Sequence, residues 1–159
     1  MAIKVGDKIP AVTLTHMTPD GPKEITTGEL FGGKKVVLFA LPGAFTPTCS
    51  NSHLPGFVVN ADKIKATGVD EIVCLSVNDA FVMDAWGKAQ NAEEIHMVGD
   101  GNAEFAKATG LDLDLTSRLM GVRLTRFSMI VEDGVVKHLN VEEPGKFEVS
   151  SAENIMALL

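Results

Sequence analysis

The chain has 159 residues, 45% of them hydrophobic and 22% charged, and a formal net charge of −7 at pH 7. That length suits a single domain, residues 1–159, with a core burying roughly 70% of the unfolded surface, and the composition is far from that of a disordered chain. The negative charge, with no run of four basic residues anywhere, argues against nucleic acid and anionic membrane surfaces as partners.

The first residues, Met1-Ala2-Ile3-Lys4-Val5-Gly6-Asp7, lack the charged-then-apolar layout of a signal peptide. The longest apolar run, Val36 to Leu41, is far short of the ~20 residues a membrane span needs. Two cysteines do not make a disulfide scaffold, so a reducing, cytoplasmic setting is expected.

Taken in order, residues 9–15 alternate loosely and suggest a short strand. The turn signal Thr18-Pro19-Asp20-Gly21-Pro22 should fold it into a hairpin with residues 23–27. Residues 29–34 read as a turn or short helical piece. Lys35-Val36-Val37-Leu38-Phe39-Ala40 is a strand apolar on both faces, as in a buried sheet. Residues 46–60 read as a helix, with Pro47 tolerated at its start and Pro55-Gly56 expected to kink or interrupt it.

A helical segment ends near Gly68, and Glu71-Ile72-Val73-Cys74-Leu75-Ser76-Val77 is a second buried strand. Asn78-Asp79 offers an N-cap to a helix over 80–89. Residues 96–100 form a short strand, 103–109 a helix closed by Gly110, and 111–124 mostly loop. Asp133-Gly134 sits between residues 126–132 and 135–140, a strong hairpin signal. Ser150-x-x-Glu153 resembles a capping box opening a last helix. Strand–helix alternation followed by a hairpin and a closing helix predicts an α/β fold, thioredoxin-like, with a central mixed sheet, flanking helices and an added N-terminal hairpin.

The stretch Leu41-Pro42-Gly43-Ala44-Phe45-Thr46-Pro47-Thr48-Cys49 joins the first buried strand to a helix. A cysteine at such a junction meets converging N–H groups and the positive end of the helix dipole. An unperturbed cysteine is only about 3% thiolate at pH 7, and lowering its pKa by ~2 units takes roughly 2.7 kcal/mol. A helix terminus supplies about 0.3–2 kcal/mol, so a cation or directed hydrogen bonds must add the rest. Arg118, Arg123 and Arg126 are the candidates. Arg126 opens a strand expected to lie beside the one leading into Cys49, and its planar fork suits a thiolate plus peroxide oxygens. Thr46, three residues before Cys49, is within reach of the sulfur or a bound oxygen. Pro42 and Pro47 fix and shield the loop.

Pro42-x-x-x-Thr46-x-x-Cys49, Val77-Asn78-Asp79 with Ala85-Trp86, Arg126-Phe127-Ser128 and Ser150-Ser151-Ala152-Glu153 together make nearly the whole chain resemble the peroxiredoxins, and most closely the type II, atypical subgroup. The resemblance implies a thiol peroxidase that reduces hydrogen peroxide and alkyl hydroperoxides. The Cys49 thiolate would become a sulfenic acid, Thr46 and Arg126 would position the peroxide, and two copies would pair as a homodimer. No cofactor or metal is implied. Members of the subgroup that resemble this chain carry a second cysteine at position 74, whereas the C-terminal position used by others is empty here. Cys74, glutathione or a glutaredoxin is left as the resolving thiol, with thioredoxin a further possible donor. A mid-strand Cys74 is hard to bring within the 4.4–6.8 Å Cα separation of a disulfide, which favours glutathione or glutaredoxin.

The bland alternatives are an inert, packed Cys49, a surface ion-pair role for Arg126, and a packed Cys74. His53, one turn past Cys49, reads better as a surface or interface histidine than as a base. His16, His96 and His138 lack ligand-like spacing. Phe45, Leu54, Phe57, Phe81 and Trp86 read as mostly core, with some lining a dimer interface or the substrate mouth. A thioredoxin-type oxidoreductase would want Cys-x-x-Cys, yet Thr46 holds the first position. A redox sensor or chaperone-like binding protein on the same fold is the non-enzymatic competitor.

Overall fold

A computed structural model describes residues 2–159. Seven strands form one sheet in the order β2-β1-β5-β4-β3-β8-β9. They are β1 (Thr13–Thr18), β2 (Gly21–Thr26), β3 (Lys35–Ala40), β4 (Glu71–Ser76), β5 (His96–Gly99), β8 (Phe127–Glu132) and β9 (Val135–Val141). β3, β4 and β5 run parallel, while β8 pairs antiparallel with β3 and β1 antiparallel with β5. The helices are α1 (Thr27–Phe31), α2 (Leu54–Lys65), α3 (Ala80–Ala89), α4 (Glu104–Thr109) and α5 (Ala152–Met156).

β3 shows why the central strands are apolar throughout. Val36, Leu38 and Ala40 enter one core cluster with residues of α1 and α4. Val37 and Phe39 enter the other, with residues of α2, α3 and α5. Both faces are covered, so alternation disappears. Phe39 is fully buried and stacks on Phe57, ring centroids 4.0 Å apart, with the His53 ring 5.1 Å away.

The hairpin at Asp133-Gly134 forms as expected, both turn residues having positive φ. Asp79 caps α3 through Val82 N–H at 2.8 Å. Four local expectations change. β1 starts at Thr13, four residues late. The loop expected over 111–124 contains a small hairpin, β6 (Asp112–Asp114) with β7 (Val122–Leu124), around a short 3-10 turn at Thr116–Arg118. Ser151, not Ser150, caps α5 by accepting Asn154 N–H at 3.2 Å; Ser150 is engaged elsewhere. Arg126 immediately precedes β8 instead of opening it.

A fifth change concerns the helix after β3. It is not broken at Pro55: a π-helical turn at Cys49–His53 runs directly into α2. The Leu54 N–H bonds the Cys49 carbonyl five residues back. Proline lacks the N–H that an α-helix would use here, and its ring would clash with the carbonyl four residues earlier. The wider turn just upstream accommodates that change of register.

Of the five large apolar residues, Leu54, Phe57 and Trp86 are fully buried, and Phe45 and Phe81 are the ones outside the core, at 54% and 63% exposed. Phe39→Ala should cost about 3–5 kcal/mol, read as a lower urea midpoint with an unchanged slope. A loss under ~1 kcal/mol would mean the two faces of the sheet are not packed as described.

Candidate active site

β3 ends at Ala40, and the chain from Leu41 to Thr48 crosses the C-terminal edge of the sheet before the π turn begins. Asn78 and Arg123 fasten this crossing from outside. The Ala44 N–H donates to Asn78 Oδ1 at 3.0 Å, and the Ser76 hydroxyl lies 3.1 Å from the Leu41 carbonyl and 2.8 Å from the same Asn78 oxygen. Arg123 Nη1 donates to the carbonyls of Val77 at 3.1 Å and Pro42 at 3.4 Å. Phe45 takes a positive φ of 65° at the tip. Trp86 Nε1 donates to Ser50 Oγ at 3.0 Å, tying α3 to the residue after Cys49.

Cys49 is fully buried in the first turn of this helix. Among the three candidate cations only Arg126 reaches it: Nη2 donates to Cys49 Sγ at 3.1 Å. Arg123 is committed to the loop carbonyls, and Arg118 lies in the exposed 3-10 turn. Arg126 arrives because β8 lies beside β3, in a register that pairs Ala40 with Phe127. The Thr46 hydroxyl does not touch the sulfur. It donates to the Gly43 carbonyl at 2.7 Å, which leaves its oxygen lone pairs free to accept a hydrogen bond from a bound O–H.

His53 overturns the expectation of a surface histidine: it is fully buried. Its Nδ1 lies 2.8 Å from Arg126 Nη1, and its Nε2 lies 3.0 Å from the Ser150 carbonyl. A guanidinium only donates and a carbonyl only accepts, so His53 must be neutral with its proton on Nε2. Burial, reinforced by the Arg126 charge, lowers its pKa from 6.5 to about 3. Phe147 covers the far side of the guanidinium, its ring centroid 5.7 Å from Cζ. The only local signal for His53 was its position four residues after Cys49 on one helix face. Its partners at 126 and 150 are distant in sequence.

Cys74 is also fully buried, in the same core cluster as Cys49, and both thiols are free. It sits mid-strand, in ladder with Phe39 on one side and Met97 on the other. Burial, and then the nearby Cys49, push its thiol well above the ordinary range, with Arg126 opposing only in part. In this state Cys74 is a neutral thiol without a path to solvent. Beside Arg126 opens a small cavity of about 110 Å³, lined by Pro42, Thr48, Pro144, Lys146 and Phe147 among others. A larger groove of about 540 Å³ around Lys65, Lys88 and His96 includes none of Pro42, Thr46, Cys49 and Arg126.

The arrangement joins a buried sulfur, a fixed cation on it, a free acceptor nearby and a cavity of few-atom size. That set suits nucleophilic attack by sulfur on a small electrophile whose developing charge Arg126 can hold. The buried neutral His53 also makes stability depend on pH. The unfolded chain takes up a proton below pH 6.5 and the folded chain does not until about pH 3, so stability is fully present above 6.5 and falls as pH drops. The difference is about 2 kcal/mol by pH ~5. His53→Leu should therefore flatten the acid side of the stability–pH curve relative to wild type, measured by urea unfolding. An unchanged slope would mean His53 is charged in the folded protein.

Residues 4–156 match the redoxin family. The chain is 50% identical to peroxiredoxin-2E-2, chloroplastic, of Oryza sativa subsp. japonica over 163 residues, 99% of this chain and 72% of that one. It is 45% identical to peroxiredoxin-2D of Arabidopsis thaliana over 99% of this chain and 98% of that one. The crystal structure of reduced Prx3 from Vibrio vulnificus in complex with hydrogen peroxide superposes with a TM-score of 0.96, at 56% identity and 98% coverage of both chains. With this fold and near-complete coverage, the chain belongs to the redoxin family and, within it, to the type II peroxiredoxins, thiol peroxidases on a thioredoxin-like frame.

Proposed function

We propose that Cys49 is the thiol this peroxidase oxidises, and that hydrogen peroxide and short alkyl hydroperoxides are its substrates. The observation that carries the reading is the 3.1 Å contact from Arg126 Nη2 to the buried Cys49 Sγ. A guanidinium placed against the sulfur can hold the incoming peroxide beside it and the charge that develops on the departing oxygen. The thiolate attacks the terminal peroxide oxygen; an S–O bond forms as the O–O bond breaks. The leaving oxygen departs as hydroxide or alkoxide, takes up a proton, and is released as water or alcohol, leaving a Cys49 sulfenic acid. Arg126 holds sulfur and incoming oxygen together, Thr46 Oγ accepts the peroxide O–H, and Pro42 screens the loop from water.

For recycling, the reading is direct attack by glutathione or a glutaredoxin, with thioredoxin as the remaining donor class. What supports it is the burial of Cys74 within a strand hydrogen-bonded on both edges. Resolution by Cys74 would require β4 or the π turn to open. The reading also includes a reducing, cytoplasmic compartment, on the strength of the cysteine count, and a homodimer. The homodimer is supported by Phe45 and Phe81, two large exposed apolar side chains at the active-site end of the sheet.

Mixing with hydrogen peroxide in stopped flow tests the first part, with Trp86 as the optical signal because its indole bonds Ser50 beside Cys49. Oxidation should be orders of magnitude faster than that of free cysteine and should vanish in Cys49→Ser. Arg126→Lys, which removes the fork, should slow it ~100-fold or more. A wild-type rate no better than free thiol would refute the assignment. Cys74→Ser should keep turning over with glutathione and glutaredoxin; loss with every reductant would make Cys74 the resolving thiol.

A further inference from the structure

We propose that Glu142 is a positioning residue for Arg126, acting through the loop it folds and the tautomer it imposes on His53. The proposal rests on the peroxidase reading of the Cys49 site and adds a residue that touches neither the sulfur nor the cavity beside Arg126.

Glu142 follows β9 and is only 4% exposed. Among the described residues no lysine or arginine lies within ion-pair reach of its carboxylate. A buried, unpaired carboxylate needs hydrogen bonds in place of a counter-ion, and here a single loop supplies them. Glu148 N–H lies 2.9 Å from both oxygens, and Oε2 also accepts Val149 N–H at 2.8 Å, Ser150 N–H at 2.8 Å and the Ser150 hydroxyl at 2.7 Å. Successive N–H groups converging on one anion form a nest. Burial pushes the carboxyl upward, but these donors outweigh it and hold it below the ordinary range, so it stays ionised.

With its N–H and hydroxyl both on Glu142, Ser150 presents its carbonyl to His53 Nε2 at 3.0 Å. That acceptor fixes the His53 proton on Nε2 and leaves Nδ1 as a bare acceptor for Arg126 Nη1 at 2.8 Å. The other guanidinium nitrogen meets Cys49 Sγ. The circuit closes on the backbone, where the Glu142 N–H donates to the Arg126 carbonyl at 3.0 Å. Arg126 is thus held at its carbonyl by Glu142 and at its side chain by a relay that begins at the Glu142 carboxylate. The same loop carries Phe147 over the guanidinium.

The test is Glu142→Gln in the full chain. An amide brings one oxygen where two served and sets an NH₂ against the loop donors. Relative to wild type, the rate constant for Cys49 oxidation by hydrogen peroxide should fall ~10-fold or more, as loss of a histidine's outer hydrogen-bond partner does at other sites. The rate of Cys49 alkylation by iodoacetamide at fixed pH, read by mass, should fall in the same direction, and Glu142→Asp should recover part of both. The alkylation rate needs no peroxide, so it decides the proposal even if the wild type proved a poor peroxidase, an outcome that would count against the peroxidase reading alone. A Gln variant with a lower melting temperature but both rates unchanged would overturn the proposal, because that is what a loop brace does. Should the Gln variant not fold, Ser150→Ala removes one of the donors; a smaller shift of both readouts in the same direction supports the relay, and no shift overturns it.

Discussion

The site depends on one contact, a guanidinium nitrogen at hydrogen-bond distance from a sulfur that water cannot reach. In water such a contact is worth little, because the guanidinium charge is screened; away from water the same charge acts on its partner many times more strongly. The structure arranges dryness and pairing together. Leu41, Phe39, Leu54 and Phe57 exclude water around Cys49, and the β3–β8 ladder delivers Arg126 from the next strand. Fold and chemistry are connected through register: a one-residue slip of β8 would send the arginine to the opposite face.

Arg126 is half-buried, and the groups that orient its guanidinium beside the sulfur carry no charge. Among the described residues no carboxylate lies within ion-pair reach of Arg126. A direct carboxylate partner would compete with the thiolate for the same cation. A neutral imidazole orients the guanidinium and leaves its charge to the sulfur. The negative charge that anchors the arrangement, on Glu142, is set behind Ser150 and His53, where it directs without neutralising.

Much of this was legible from residues alone because the signals were local. Two-sided apolar runs gave β3 and β4, Asp133-Gly134 gave the last hairpin, and the Pro42, Thr46, Cys49 spacing marked the loop. Arg126 was reachable because adjacent strands in this topology are an inference of fold class. His53 was misread because its burial comes from Ser150, 97 residues away. Glu142 gave no signal: in Asn140-Val141-Glu142-Glu143-Pro144 an acidic residue before Pro-Gly looks like solvated loop. Pro55 was read correctly as incompatible with a regular helix, but the chain resolves the conflict by widening the turn ahead of it.

That π turn has a consequence in chain length. A π turn is an α-helix carrying one residue more than its hydrogen-bond register needs. Four α-helical residues turn the chain through about 400°, and a π turn spreads five residues over nearly the same rotation, so the extra residue is absorbed locally and Cys49 keeps its face of the helix. Removing one of Ser50, Asn51 and Ser52 would let the turn become α-helical with little rotation of the sulfur, but it would set the Pro55 ring against the carbonyl four residues earlier, the clash that the wider turn avoids. The length of this interval is thus tied to the proline that follows it: a shorter turn becomes comfortable only when Pro55 is replaced as well.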